Sequence, residues 1–401
     1  MNPKRSKYET VFKNLFFFNR YKISGLEDTE TQVLVSLEKV GPPKCPRCGS
    51  VHCHIEEKYT RIARDLDLRH KLCYIKFEEN KIRCSCGYRG IEYLDFIRPY
   101  SRCTRLLEEE VAVCTARMTI TDASLIWHLD WKTVKEIDKQ SIKDKMIDLK
   151  TLNPTMIGVD EIAYIKGHHY LTIVRDITAR KVIWVGFKRK TATLDAFFKE
   201  LGPEKSLNIK VCCMDMWDPY IASVNRNTPA DIVFDKFHII KKVNEALDKV
   251  RRKVFANSDK STRKEMKHKR FLILHRRNNL VDEQDIESLE QLLESNKPLY
   301  TAYILKEEIA DIFDDVDEHR EIVRLEQWFK NVRDSGIDEF LPVVSMMQRY
   351  LYGILNYFKY GLTNAGSEGF NNKINVIKRA AFGFRDIEYF KLKIFQRCGG
   401  V

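Results

Sequence analysis

The chain has 401 residues, with 69 Lys and Arg against 57 Asp and Glu and a net charge of +12. That length can bury a sizeable core and implies two to four domains, while the basic balance suits a polyanionic partner. No stretch approaches the roughly 18 uninterrupted apolar residues of a membrane span, and the early cluster Leu15 to Phe18 is too short for a signal-peptide core. A cytoplasmic protein is expected.

In chain order, residues 1–44 are an N-terminal segment that ends in Gly41-Pro42-Pro43. Residues 45–100 hold six of the eleven cysteines. With no export signal, that clustering points to metal rather than disulfides. Cys45-Pro-Arg-Cys48-Gly and Cys84-Ser-Cys86-Gly are two knuckles that can turn four thiolates onto one tetrahedral zinc. The second knuckle is one residue short of Cys-x-x-Cys, so His52, Cys53, His54 and Cys73 stand as substitute ligands. Between the knuckles, Tyr59 to Leu66 and Lys71 to Phe77 read as ribbon strands. Arg61, Arg64 and Arg69 on or beside them are either phosphate contacts or solvated strand faces.

Residues 101–150 read as helices with a helix-turn-helix pattern over Met118 to Ile137. Thr121 or Asp122 caps one short helix and Asp130 the next, whose Val134 and Ile137 pack inward. Lys132, Thr133 and Lys135 then lie at the exposed start of a recognition helix, although a plain helical hairpin gives the same pattern.

Strands resume after Pro154. Met156 to Asp160 is an apolar strand ending in an acid, His169 to Val174 and Lys181 to Phe187 form a hairpin, and Thr191 to Leu201 is an amphipathic helix. Ile209 to Met214 is a buried strand followed by Asp215. A helical stretch from Tyr220 to Val224 leads to the strand Ile232 to Phe234, followed by Asp235. Three strands, a helix, then strand-helix-strand is the order of an RNase H-like α/β fold with a mixed five-stranded sheet. In that order the first and fourth strands are neighbours, so Asp160 and Asp215 meet at one end of the sheet. Paired carboxylates there can hold two divalent ions of the Mg²⁺ type for phosphoryl transfer.

Residues 239–280 carry 14 Lys/Arg against 4 Asp/Glu, whereas residues 281–321 carry 3 against 14. The pattern is either a pair of solvated helix faces or a phosphate-binding surface beside an acidic screen. The third acid is expected at Glu368, in a helix whose stripe Phe370, Ile374, Ile377 and Ala381 faces inward. Ser367 or Asn364 caps that helix, and Glu368, Asn371, Asn375 and Lys378 share its other side.

Four segments, Gly-Val-Asp160-Glu, Met-Asp215-Met, Asp235-Lys-Phe-His238 and Thr-Asn-Ala-Gly-Ser-Glu368-Gly-Phe-Asn-Asn-Lys-Ile, resemble the ISL-three family of bacterial insertion-sequence transposases. The resemblance runs from about Cys45 onward. It implies a zinc ribbon, a helix-turn-helix and an RNase H-like DDE domain interrupted by a helical insertion, in a cytoplasmic protein of the bacterial nucleoid. It also implies Mg²⁺-dependent cleavage and strand transfer at terminal inverted repeats, with Mn²⁺ able to substitute, by a dimer or larger assembly on double-stranded DNA.

Carried over by position, the triad is Asp160, Asp215 and Glu368. Asp235 and His238 match the Asp-x-x-His motif of related transposases and act as supporting or rival residues. The domains expected are 1–44, 45–100 (ribbon), 101–150 (helix-turn-helix), 151–238 (first part of the catalytic core), 239–362 (helical insertion) and 363–401 (the helices carrying the third acid). Lys241, Lys242, Arg251, Arg252 and Lys253 at the start of the insertion, and Lys378 and Arg379 beside the third acid, are DNA-contact candidates. Trp328 either stacks on an unpaired base, as insertion-domain tryptophans do in similar enzymes, or lies in the core. A transposase-derived DNA-binding regulator that no longer cuts is the competing reading, and a stand-alone RNase H-like nuclease a third.

Overall fold

A computed structural model describes residues 18, 20–165, 167–315, 320–362 and 365–399, with the side chains of residues 265 and 365–368 outside that description. The chain divides into two units, Met1–Lys145 and Met146–Val401.

In the first unit, β1 (Tyr21–Asp28), β2 (Gln32–Lys39), β3 (Cys53–Leu68), β4 (Lys71–Cys84) and β5 (Arg89–Ile91) form one sheet. Its order is β1-β2-β4-β3, with β5 also pairing β4, and β2 runs parallel to β4. Val33, Val35 and Leu37 alternate along β2, and Cys73, Ile75 and Phe77 along β4, so each strand turns one face into the core. The N-terminal segment therefore supplies two strands that the sequence did not reveal. β3 and β4 are also longer than expected. The hairpin pairs from Cys53↔Cys84 to Leu68↔Lys71, and its outer half is charged, with Lys58 3.3 Å from Glu78 and Lys81 3.0 Å from Glu57. Cross-strand charge pairs hold what apolar alternation does not advertise.

Helices α1 (Arg105–Thr115), α2 (Ile120–Trp127) and α3 (Trp131–Lys145) follow. They bury Leu107, Val111, Ala123, Val134 and Ile137 against one another. The cap of α2 is Thr119, not Thr121 or Asp122. Its hydroxyl accepts from the Asp122 amide at 3.1 Å and donates to the Asp122 carboxylate at 2.7 Å, a reciprocal capping pair. Asp130 accepts from the Lys132 amide at 2.9 Å, as expected of a cap.

The second unit is built on β6 (Met156–Ile165), β7 (His169–Asp176), β8 (Lys181–Phe187), β9 (Val211–Met214) and β10 (Asp231–Phe234), in the order β10-β9-β6-β7-β8. β9 lies parallel to both β6 and β10, whereas β6, β7 and β8 are antiparallel. This is the RNase H-like arrangement read from the element order.

Ile157 and Val159 point to one face, where α4 (Thr191–Leu201) and α5 (Asp218–Asn227) bury Leu194, Phe197, Tyr220 and Val224. Ile162, Leu171 and Ile173 point to the other, where two C-terminal helices supply Ile374, Phe390 and Ile394. Period-two alternation on β6 thus places Asp160 on the same face as Ile162.

Between the last strand and those helices run α6 (Lys236–Asn257), two short helices (Lys260–Met266 and Arg270–Leu274), α7 (Glu283–Glu294), α8 (Lys297–Asp314), α9 (Glu321–Asp334), α10 (Leu341–Arg349) and α11 (Leu351–Tyr360). Gly353 lets α11 settle onto β10, since a Cβ there would lie 2.4 Å from Phe234 Cδ2. The C-terminal pair is α12 (Ala365–Ala380) and α13 (Ile387–Ile394). In the stripe expected on α12, Ile374 is fully buried and Phe370 and Ile377 partly, whereas Ala381 follows the helix and is exposed.

Candidate active site

Two ligand clusters stand out among the described residues. The first joins Cys45, Cys48, Cys84 and Cys86, whose sulfurs all lie within 4.8 Å of one another. Cys45 Sγ is 3.7 Å from Cys86 Sγ, and Cys48 Sγ is 3.5 Å from Cys84 Sγ. A tetrahedron with Zn–S bonds of about 2.3 Å has edges of about 3.8 Å, so the four sulfurs are already spaced for zinc.

The short second knuckle works because Cys84 is the last residue of β4. The chain then turns at Gly87, at φ +85°, whose amide donates to Cys84 O at 3.0 Å, while Gly49, at φ +75°, closes the first knuckle in the same way. The backbone amide of Cys86 is the largest influence lowering the Cys84 thiol, to about 6. Of the substitute ligands, Cys73 is in the sheet core and Cys53 donates to Ser50 O at 3.4 Å. Neither belongs to the cluster.

The second cluster is Asp215, Asp235 and His238. Asp215 follows β9 and Asp235 follows the parallel neighbour β10, where Asp235 also caps α6 by accepting from the Phe237 amide at 3.1 Å. One helical turn on, His238 Nδ1 lies 2.9 Å from Asp215 Oδ1 and 3.6 Å from Asp235 Oδ2. Contact with Asp215 first and Asp235 second raises His238 to about 10, so it sits as a cation between two carboxylates.

Asp160 stands on the adjacent β6, which does not end at this acid as expected but runs on to Ile165 because its pairing with β7 continues there. Its carboxylate accepts from the Glu161 amide at 2.6 Å and from Asn371 Nδ2 at 2.8 Å. Burial first, and then the charge of Asp215, push Asp160 up to about 6. Arg175, opposite Gly158 on β7 and 5% exposed, adds a buried positive charge that feels both Asp160 and Asp235. Glu368 lies in α12, but its side chain is outside the described residues, as are the expected caps Asn364 and Ser367.

The donor set fits a hard divalent cation. The Asp160, Asp215 and Asp235 carboxylates gather on three neighbouring strands, and hard oxygen donors of this kind suit a divalent cation.

The DNA-contact candidates separate by environment. Lys132 is exposed and Thr133 half-buried at the start of α3, and Lys135 lies over the exposed Trp131 ring at 5.4 Å. Arg64 is a correction. Arg61 pairs with Glu79 at 2.7 Å, and Arg64 is 6% exposed, paired with Asp67 and donating to Cys73 O at 3.2 Å. Arg64 is thus spent inside the sheet, whereas Arg61 stays partly exposed.

In α6, Lys241 is exposed, Lys242 pairs with Glu245 at 2.9 Å and Lys253 with Glu339 at 2.9 Å. Arg251 and Arg252 converge with Arg270 on the buried Asp248, which leaves Arg251 mostly covered. Arg276, from the basic block, reaches Glu307 at 3.1 Å and Asp314 at 3.1 Å, so part of the basic–acidic contrast is consumed inside the insertion. Lys378 donates to Ala163 O at 3.0 Å, and Arg379 is exposed. Trp328 is a further correction. It is 1% exposed and its indole donates to Leu305 O at 2.8 Å, so it is a core residue with no face for a base.

A zinc ribbon and a helix-turn-helix, followed by an RNase H-like sheet with acids on neighbouring strands, make up the architecture of a DDE-type transposase. Comparison with known proteins agrees over most of the chain. Residues 157–394 match the ISL3 DDE transposase family, residues 92–142 the helix-turn-helix domain of transposase family ISL3, and residues 41–86 the zinc finger of the IS204/IS1001/IS1096/IS1165 transposases. The transposase for insertion sequence element IS1001 of Bordetella parapertussis is 32% identical over 355 residues, covering 87% of each chain. The transposase for insertion sequence element IS1557 of Mycobacterium tuberculosis (strain CDC 1551 / Oshkosh) is 26% identical over 370 residues, covering 85% of this chain and 82% of its own. The chain belongs to the ISL3 family of transposases. It is a DNA-acting enzyme with a divalent-metal DDE domain and a structural zinc ribbon.

Proposed function

We propose that this protein binds the terminal inverted repeats of its own insertion sequence, cuts the DNA there in a Mg²⁺-dependent reaction and joins the freed ends to target DNA. Asp160, Asp215 and Glu368 are the catalytic acids in this reading. The observation that supports it is the placement of Asp160, midway along β6, beside Asp215 at the end of the parallel neighbour β9, near enough for the Asp215 charge to raise Asp160, with α12, the helix of Glu368, tied to Asp160 through Asn371. Ions held by these carboxylates supply Lewis-acid activation of the attacking oxygen and stabilisation of the leaving one.

The protein's own part is to hold the acids at fixed spacing and keep the scissile phosphate in line. His238 orients Asp215 and balances its charge, and Asp235 anchors His238. Lys132, Thr133 and Lys135 read the element end, while Lys241, Lys242, Arg252, Lys253, Lys378 and Arg379 meet the phosphate backbone. The domains follow the segments expected from sequence, save that residues 1–44 and 45–100 share one sheet, and they act in a cytoplasmic dimer or larger assembly that brings two ends together.

The test is cleavage of a labelled duplex carrying the element's own end with Mg²⁺, comparing the parent protein with Asp215→Asn and Asp235→Asn. The proposal expects cutting by the parent, none by Asp215→Asn and reduced cutting by Asp235→Asn, with end binding retained throughout. A parent protein that binds the end without cutting it, whichever divalent metal is supplied, would favour the regulator.

A further inference from the structure

We propose that Arg189 is a positioning residue that sets the distance between Asp160 and Asp215 by bridging the chain just beyond each of them. The inference rests on the reading of Asp160 and Asp215 as metal ligands.

The argument begins with a gap in the sheet. β6 and β9 pair in register from Met156↔Val211 to Gly158↔Cys213 and no further. Asp160 and Asp215 each lie two residues past that last pair, where no ladder hydrogen bond fixes one strand against the other. β6 continues against β7, with Asp160 opposite Ile173, and the end of β9 is held by β10. Asp160, midway along β6, and Asp215, just past the end of β9, are therefore secured to different neighbours.

Arg189, in the loop after β8, crosses this gap. Its guanidinium donates to Glu161, the residue after Asp160, at 2.7 Å. Its backbone carbonyl accepts from the indole of Trp217, two residues after Asp215, at 3.2 Å. The guanidinium carbon lies 4.2 Å from the Tyr170 ring centroid and 4.7 Å from that of Trp217, so it is stacked between them. The ion pair with Glu161 raises the Arg189 pKa further above its ordinary value.

The loop is itself anchored. Lys188 holds a left-handed φ of 71°, its amide donates to Tyr170 O at 2.8 Å, and its carbonyl accepts from Thr172 Oγ1 at 2.6 Å. Thr172 Oγ1 also meets the buried Tyr220 hydroxyl at 2.8 Å. The guanidinium thus ties Glu161 to Trp217 from a fixed base. A planar, stacked, bidentate-capable group suits this position and an ammonium does not.

The chemistry gives the clamp its weight. Two ions sharing carboxylates sit about 3.5–4 Å apart, and a misplacement of about 1 Å can cost about 100-fold in rate. Freeing β6 and the end of β9 should weaken the metal site first and leave end-DNA recognition alone.

The experiment uses the zinc-loaded full chain. Mn²⁺ binding is followed by electron paramagnetic resonance, and cleavage of the element-end duplex is followed against Mg²⁺ concentration. Arg189→Ala is expected to bind Mn²⁺ about 10-fold more weakly and to cut about 10- to 100-fold more slowly at limiting Mg²⁺. It should recover as Mg²⁺ rises, with end binding unchanged. Arg189→Ala combined with Glu161→Gln should be no worse than Arg189→Ala alone, because both remove one link.

Arg189→Lys decides the matter if the alanine variant does not fold: intermediate metal affinity supports the clamp, and parental affinity overturns it. A rate loss with unchanged Mn²⁺ affinity also overturns it, since that would make Arg189 a substrate contact. If the parent protein binds Mn²⁺ but cuts no element end, the proposed reaction fails while the Mn²⁺ comparison still judges the clamp. A parent that binds no Mn²⁺ at these acids sinks both.

Discussion

Replacing Asp160 with asparagine should abolish cleavage and at the same time make the protein more stable. Asp160 is buried and pushed up to about 6 from the ordinary 3.8, mainly by that burial. A rise of about 2 units corresponds to about 3 kcal/mol by which folding disfavours the charged form. The folded-state value lies above the unfolded one, so the penalty is absent below the unfolded pKa, grows as pH rises and is complete above about 6.

Asparagine keeps the shape and can still accept from the Glu161 amide. The Asn371 amide can rotate to present its carbonyl to the new NH₂ group. Because those amides stay desolvated, the net gain should be about 1–2 kcal/mol, or a rise of about 3–6 °C in Tm for a unit of this size. Thermal melting of the zinc-loaded protein at pH 7.5, without other divalent metal, measures it. At pH 4.5 the charge penalty falls to about 1 kcal/mol, because folded Asp160 is then mostly protonated, and the fixed cost of the desolvated amides cancels it, so the gain should vanish. An unchanged or lower Tm at pH 7.5, or the same gain at both pH values, would refute the reasoning.

Three further outcomes are expected. Metal analysis should find one zinc per chain that is lost in Cys48→Ser and kept in Cys53→Ser, because Cys53 lies outside the four-sulfur cluster. Gly353→Ala should destabilise by about 1–3 kcal/mol in denaturant unfolding, since its Cβ would fall 2.4 Å from Phe234 Cδ2 and 3.2 Å from Ile232 O. Trp328→Phe should lower Tm, because it leaves Leu305 O without its indole donor, yet leave affinity for end DNA unchanged; a stacking role would instead cost about 1–3 kcal/mol of binding to unpaired DNA.

The sequence alone carried whatever is local or periodic. Cysteine spacing with closing glycines marks the zinc site, and the order of strands and helices gives the sheet topology, whereas β6 runs past Asp160 to Ile165, beyond the end its apolar run suggests. Those signals depend on neighbours a few residues apart or on repeating alternation, and both survive without coordinates. The first two strands escaped notice because β1 exposes most of its residues. Arg64 and Arg251 resemble DNA contacts in the sequence because charge is visible there, whereas the carboxylates Asp67 and Asp248 that neutralise them in the fold are not. Trp328 was undecided for a similar reason: composition cannot tell which side of a helix meets the core. Only the folded chain brings Asn371 to Asp160, 211 positions away, and Arg189 to Glu161 and Trp217, each 28 away. Contacts at such separations are made by the crossing of strands and the docking of helices, so no motif spacing encodes them.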